Sequence, residues 1–263
     1  MSLASLESSR TEAAQAVSLS GLSKAYGPIE ALAPLSLTVA AGETVAILGP
    51  SGSGKTTLLL LLSGQLGPSS GAVTLVGREI AQLSPGKELA QLVGMIHQQF
   101  DLVPNISALH NVLAGRLGEW GLFKSLVSLV WPQDRPMGME ALARVGVADR
   151  AELRAGRLSG GEQQRVAIAR LLLQDPAIVL ADEPVASLDQ ARAGEVIRLL
   201  VRIARDSGKT LISSMHSVEL ARAHFDRLIG LRNGIVQFDL PSSQVADDML
   251  LALYDIKGLR RED

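Results

Sequence analysis

Nine consecutive residues, Gly49-Pro50-Ser51-Gly52-Ser53-Gly54-Lys55-Thr56-Thr57, limit more than any others what this 263-residue chain can fold into. They fill the pattern G-x-x-x-x-G-K-S/T, and the residues before them, Thr44–Leu48 (TVAIL), are short, apolar and rich in β-branched side chains. Such a run reads as a buried strand. A helix is expected from Lys55 to about Ser63. Strand, glycine-rich turn and helix together form an anion cradle, because the glycines let the backbone curl until its N–H groups point inward at phosphate oxygens. The positive end of the helix faces the same anion. Lys55 is expected to reach β- and γ-phosphates and the Thr56 hydroxyl to bind Mg²⁺, so the ligand class is a nucleoside triphosphate. The motif alone does not separate kinases, GTPases and motors.

A second strand ends in carboxylates. Ala177-Ile178-Val179-Leu180-Ala181 runs into Asp182-Glu183-Pro184. Adjacent acids at the end of a buried strand are costly unless a cation or proton answers them, and open α/β sheets bind ligands at that end. Asp182 is therefore expected to hold Mg²⁺ and Glu183 to act as general base toward water. Further strands are expected at Val17–Leu22, Leu35–Val39, Ala72–Val76, Val93–His97, Thr210–Met215, Arg227–Leu231 and Ile235–Phe238, with helices at Gly161–Leu173, Gln190–Asp206 and Ser217–His224. Strands alternating with helices predict an α/β fold with a mainly parallel sheet covered on both faces, preceded by antiparallel strands. Residues 105–157, punctuated by Gly118, Gly121, Pro132, Pro136 and Gly138, read as a mostly helical insertion.

Composition removes other classes. The chain has no cysteine, which excludes a disulfide scaffold, a Cys-ligated zinc site and a thiol nucleophile. Its formal net charge of −2 gives no basic field for nucleic acid, so none is expected as a partner. The chain is apolar enough on average that membrane spans need testing. The runs Leu58–Leu62 and Leu122–Trp131, the latter broken by Lys124, Ser125 and Ser128, fall well short of the ~20 residues a span requires. Met1–Ala16 carries Glu7, Arg10 and Glu12 with no apolar core, and reads as a flexible tail rather than a signal peptide. A soluble protein is expected, reaching a membrane only through partners.

The string that narrows the field is Leu158-Ser159-Gly160-Gly161-Glu162-Gln163-Gln164-Arg165, continuing Val166-Ala167-Ile168-Ala169-Arg170-Leu171. Ser159 is a sound N-cap, and the paired glycines leave the helix start bare for a phosphate. With Ile178–Pro184 after it, this string resembles the ATP-binding cassette family. The resemblance implies a P-loop NTPase core with a mainly parallel sheet, an antiparallel β subdomain and an inserted helical subdomain. It also implies that Ser159, Gly160, Gly161 and Glu162 cap the ATP bound to residues 49–57 of a second copy, making a homodimer with two composite sites. Other positions match in order. Tyr26 looks like the aromatic that stacks on adenine. Gln98, with Gln99 adjacent, looks like the glutamine that touches Mg²⁺ and water and senses the membrane partner. Ala186-Ser187-Leu188-Asp189 resembles the loop crossing the dimer interface, and His216 the histidine at the γ-phosphate. His97, His110 and His224 carry no comparable case.

On this resemblance the chain divides into a tail (1–16), one ATPase domain (17–240) and a short extension (241–263). The domain has its core at about 17–104 and 158–240, and its helical part at about 105–157. Two integral membrane permease subunits and an extracytoplasmic solute-binding protein are the implied partners, and the cytoplasmic face of the inner membrane the implied location. The segment His110–Gly118 followed by Phe123–Leu126 resembles the ATPase subunits of phosphonate and phosphite importers. Other importers, or an exporter with separate membrane subunits, remain open, and Trp120, Phe123 and Trp131 suit either a membrane-subunit contact or the core.

Overall fold

The computed structural model describes residues 14–84, 86–117, 134–186 and 188–254. Two apolar layers organise it, and the central strands feed both because successive side chains on a strand point to opposite faces. In β3 (Thr44–Leu48), Val45 and Ile47 belong to one buried cluster while Ala46 and Leu48 belong to the other. That double burial is why this strand is a continuous apolar run.

The chain opens with a long hairpin, β1 (Gln15–Tyr26) against β2 (Ile29–Ala40). After β3 and α1 (Lys55–Leu62), β4 (Ser70–Leu75) pairs antiparallel with β1 and with the short β5 (Arg78–Glu79). These four strands form a sheet in the order β2-β1-β4-β5. Its inner face meets Leu58, Leu59, Leu61 and Leu62 of α1, each at most 2% exposed. Each such leucine contributes about 1.5–3 kcal/mol by leaving water.

Helix α2 (Lys87–Leu92) leads into β6 (Val93–Ile96). Then come α3 (Ala108–Leu113), α4 (Arg135–Arg144) and, after two short 3₁₀ turns, α5 (Gly160–Gln174). The second half alternates β7 (Ile178–Ala181), α6 (Gln190–Asp206), β8 (Thr210–Met215), α7 (Val218–His224), β9 (Arg227–Arg232), β10 (Ile235–Pro241) and α8 (Asp247–Tyr254). The main sheet has the order β10-β9-β3-β8-β7-β6, parallel except for β10. This is the expected α/β architecture, with an antiparallel sheet on one side and helices α3 to α8 on the other. Helices α3 and α4 pack on α5 through Leu109, Val112, Leu113 and Leu142. Trp120, Phe123, Trp131 and Ser187 lie outside the described residues.

Candidate nucleotide site

The cradle sits at the C-terminal ends of β3, β7 and β8. Two of its glycines have no substitute. A Cβ on Gly49 would stand 2.0 Å from the carbonyl oxygen of Leu231, and one on Gly54, at φ 103°, would stand 2.6 Å from that of Ala31. The loop is thus pressed between β9 and β2, and only a bare backbone passes. Helix α1 starts at Gly54 with no side-chain cap and no acidic residue in its first turn. Its first intrahelical bond runs from Leu58 N–H to Gly54 O, which leaves the amides of Lys55, Thr56 and Thr57 open to an anion. By contrast α3, α5, α6 and α7 are each capped by a side chain, from Ser107, Ser159, Asp189 and Ser217.

Lys55 folds back over the loop. Its Nζ donates to Gly49 O at 2.9 Å and Pro50 O at 3.0 Å, so the ammonium braces the curl. Burial pushes the Lys55 pKa below its ordinary value, opposed by the negative charges of Glu183 and Asp182. A cavity of about 210 Å³ opens above the loop, lined by Ala31, residues 51–57 and Glu183. Among the described residues the buried Ser53 hydroxyl has no hydrogen-bond partner, which suits it to a polar ligand.

Of the two carboxylates that follow β7, Glu183 lines this cavity. Asp182 is buried, and its Oδ1 accepts from Ser214 Oγ at 2.7 Å and from Thr56 Oγ1 at 3.2 Å. Ser214 Oγ in turn accepts from Glu183 N–H at 2.8 Å. Glu183 takes φ 46°, a left-handed conformation that costs energy outside glycine. Its Oε1 lies 2.6 Å from His216 Nε2. Glu183 also borders a second cavity, of about 320 Å³, lined by Val185, Leu188, His216 and Leu220 among others. Glu183, in the loop that follows β7, therefore lines both cavities.

The start of α5 forms a complete capping box: Ser159 Oγ accepts from Glu162 N–H while Glu162 Oε2 accepts from Ser159 N–H at 2.8 Å. Arg150 Nε holds the other carboxylate oxygen of Glu162 at 2.9 Å. The Glu162 pKa is lowered, first by the Ser159 backbone bond and then by Arg150. Buried Gln164 donates to the carbonyl of Pro184, tying this helix to the Asp182–Glu183 turn. None of Ser159, Gly160, Gly161 and Glu162 lines the cradle of its own chain.

The expected residues are thus only partly gathered. Residues 51–57, Asp182, Glu183 and His216 share one neighbourhood. Tyr26 stands 48% exposed at the tip of the β1–β2 hairpin, with Lys24 Nζ 5.3 Å from its ring centre. That hairpin flanks the cradle through Ala31. Gln98 is exposed on the turn after β6, beside the strand end that carries Asp182. Ser214 was not singled out from the sequence. Its only signal is a pair of hydroxyls, Ser213-Ser214, inside a strand buried at every position.

Residues 32–186 match the family model described as ABC transporter. The chain is 45% identical over 91% of its length to the phosphonates import ATP-binding protein PhnC of Pseudomonas putida, covering 90% of that protein. It is 48% identical over 88% of its length to phosphonates import ATP-binding protein PhnC 1 of Pseudomonas aeruginosa, covering 88% of it. Among solved structures, the dimeric ATP-binding cassette MJ0796 bound to ADP and Pi superposes with a TM-score of 0.73 at 32% identity, over 86% of this chain and 98% of that one.

Proposed function

The chain belongs to the ABC transporter family, and on that footing we propose that it is the ATP-binding and ATP-hydrolysing subunit of an importer for phosphonate- or phosphite-type anions. The observation that carries the chemistry is the Glu183 carboxylate in the wall of an open phosphate cradle whose floor is the uncapped start of α1. The cargo rests on the import proteins to which nearly the whole chain is similar.

In this reading the amides of residues 51–57 and Lys55 bind the β- and γ-phosphates, and Tyr26 stacks on the adenine. Thr56 Oγ1 and Asp182 Oδ1, 3.2 Å apart, are hard oxygen donors that would hold a magnesium ion. Gln98 would join them. When bound, the ion would neutralise charge building on the phosphate oxygens. Glu183 accepts a proton from water as the new oxygen–phosphorus bond forms and the bond to the β-phosphate oxygen breaks, releasing ADP and phosphate. His216 fixes the Glu183 carboxylate and faces the γ-phosphate.

Because the Ser159 helix start lies off its own cradle, a second copy supplies it, closing the outer side of the γ-phosphate. Closure then pulls on two integral permease subunits near Gln98, and hydrolysis reopens the pair. Among the described residues no helix is long and apolar enough to cross a membrane. As an importer's ATPase the subunit sits peripherally at the cytoplasmic face of the inner membrane, with a solute-binding protein delivering cargo outside.

The Glu183→Gln variant tests the assignment. It is expected to bind MgATP, lose at least about a hundredfold in turnover and elute as a dimer with nucleotide. Turnover near the wild-type level would remove Glu183 from the role of base. Stimulation of the reconstituted complex by a phosphonate-loaded binding protein, and not by other anions, tests the cargo.

A further inference from the structure

Strand β3 pairs with β8 through Leu48–Met215 and with β9 through Leu48–Gly230, and there the ladder ends. The next amide, that of Gly49, opens the phosphate loop and has no strand partner. It donates instead to the hydroxyl of Tyr254, at 3.3 Å, from the last residue of α8, 205 positions downstream. The contact is not incidental to a loose tail. Leu250 and Leu253 are buried in the core cluster, Arg222 pairs with Asp247 at the helix start, and Arg232 Nη1 donates to Ala252 O at 2.7 Å. Tyr254 is itself partly buried, and burial pushes its phenol up from the ordinary value, so the hydroxyl is intact across the working pH range.

We propose that Tyr254 is a positioning residue for the nucleotide cradle, its hydroxyl terminating β3 at Gly49 and coupling the docking of α8 to occupancy of residues 49–57. On one side Gly49 is jammed against Leu231 O, and on the other its N–H is held by this phenol. Both faces of the loop's first peptide are therefore set by the β9–α8 unit. Such a coupling is reciprocal: if docked α8 favours the phosphate-binding curl, bound phosphate favours docked α8 by the same factor. The inference rests on the nucleotide reading of the cradle.

Tyr254→Phe removes one oxygen and keeps the ring. In nucleotide-free protein carrying isotope-labelled glycine, the Gly49 amide is expected to exchange with solvent about three- to tenfold faster than in wild type, the worth of one modest hydrogen bond. MgATP affinity is expected to weaken by about the same factor. Adding MgATP to the wild type should slow exchange across residues 250–254, and that protection should be lost in Tyr254→Phe. A second variant, Leu250→Ala, loosens α8 away from the hydroxyl and is expected to weaken MgATP binding as well. Unchanged Gly49 exchange overturns the proposal, as does faster exchange with unchanged affinity, or a loosened α8 in Leu250→Ala with unchanged affinity. Failure of the wild type to bind MgATP would strike the nucleotide reading instead, and the Gly49 exchange comparison still decides the hydroxyl's hold on the loop.

Discussion

At the scale of single residues, the candidate site depends on how few groups serve two masters. Ser214 Oγ donates to Asp182 and accepts from the Glu183 amide, so one hydroxyl ties the Asp182 carboxylate to the Glu183 peptide. Ser214→Ala takes the acceptor from the Glu183 N–H and leaves Asp182 Oδ1 with Thr56 Oγ1 as its remaining donor, at a cost of about 1–3 kcal/mol. Thermal unfolding should register that loss, and turnover should fall about tenfold with little change in ATP affinity, because the cradle itself is untouched. Lys55 carries a pH prediction. Its folded pKa lies below 10.5, so at neutral pH the charged amine costs the empty protein stability. Between the folded pKa and 10.5 the unfolded chain holds more protons than the folded one, so stability rises with pH in that window. Denaturant titrations of nucleotide-free wild type and Lys55→Met should show the wild type gaining on the variant as pH approaches 10.5. ATP binding should be lost in the variant at every pH.

At the scale of elements, legibility followed burial. Strands Thr44–Leu48 and Thr210–Met215 coincide with their sequence expectation because both faces are covered and every position is apolar or a small hydroxyl. The hairpin β1–β2 is longer than Val17–Leu22 and Leu35–Val39 suggested. Register shifts between Leu19 and Ala25 break the alternation of polar and apolar residues there, and Gly21, Ser23 and Lys24 look like a turn. Helices α2 and α8 and strand β5 were not foreseen; each is short, and only packing against a sheet makes such segments worth forming. The start of α5 was legible because capping is local: Ser159 and Glu162 lie three residues apart. The links of Gln164 to Pro184 and Tyr254 to Gly49 join distant positions and leave no periodic trace. The cap makes its own prediction. Glu162 has a lowered folded pKa, so its stabilisation is present above its ordinary value of 4.5 and is lost as pH falls through the folded value. Because the pair is partly solvent-screened, the effect is under about 1 kcal/mol. As pH falls below 4.5, stability should drop more steeply for wild type than for Glu162→Gln.

At the scale of the whole molecule, the glycine-rich cradle and the Ser159 helix start, the two halves of the proposed composite site, do not share a cavity. The cradle and its carboxylates gather at one end of the parallel sheet, while the capped glycines of α5 are held elsewhere by Arg150 and by the α3–α4 packing. The sequence could supply both halves because each is a short contiguous string, but only the fold separates them. A pairing of copies answers that separation, and the solved cassette MJ0796, similar over most of this chain, is itself dimeric. The absence of native cysteine makes the pairing directly measurable. Ser51 lies exposed in the cradle and Ser159 exposed at the α5 start, so Ser51→Cys and Ser159→Cys can be placed together in a Glu183→Gln background and oxidised with and without MgATP. A covalent dimer on a non-reducing gel, formed only with MgATP, is the result predicted here. A cross-linked monomer, with each chain closing over its own nucleotide, would contradict the composite site.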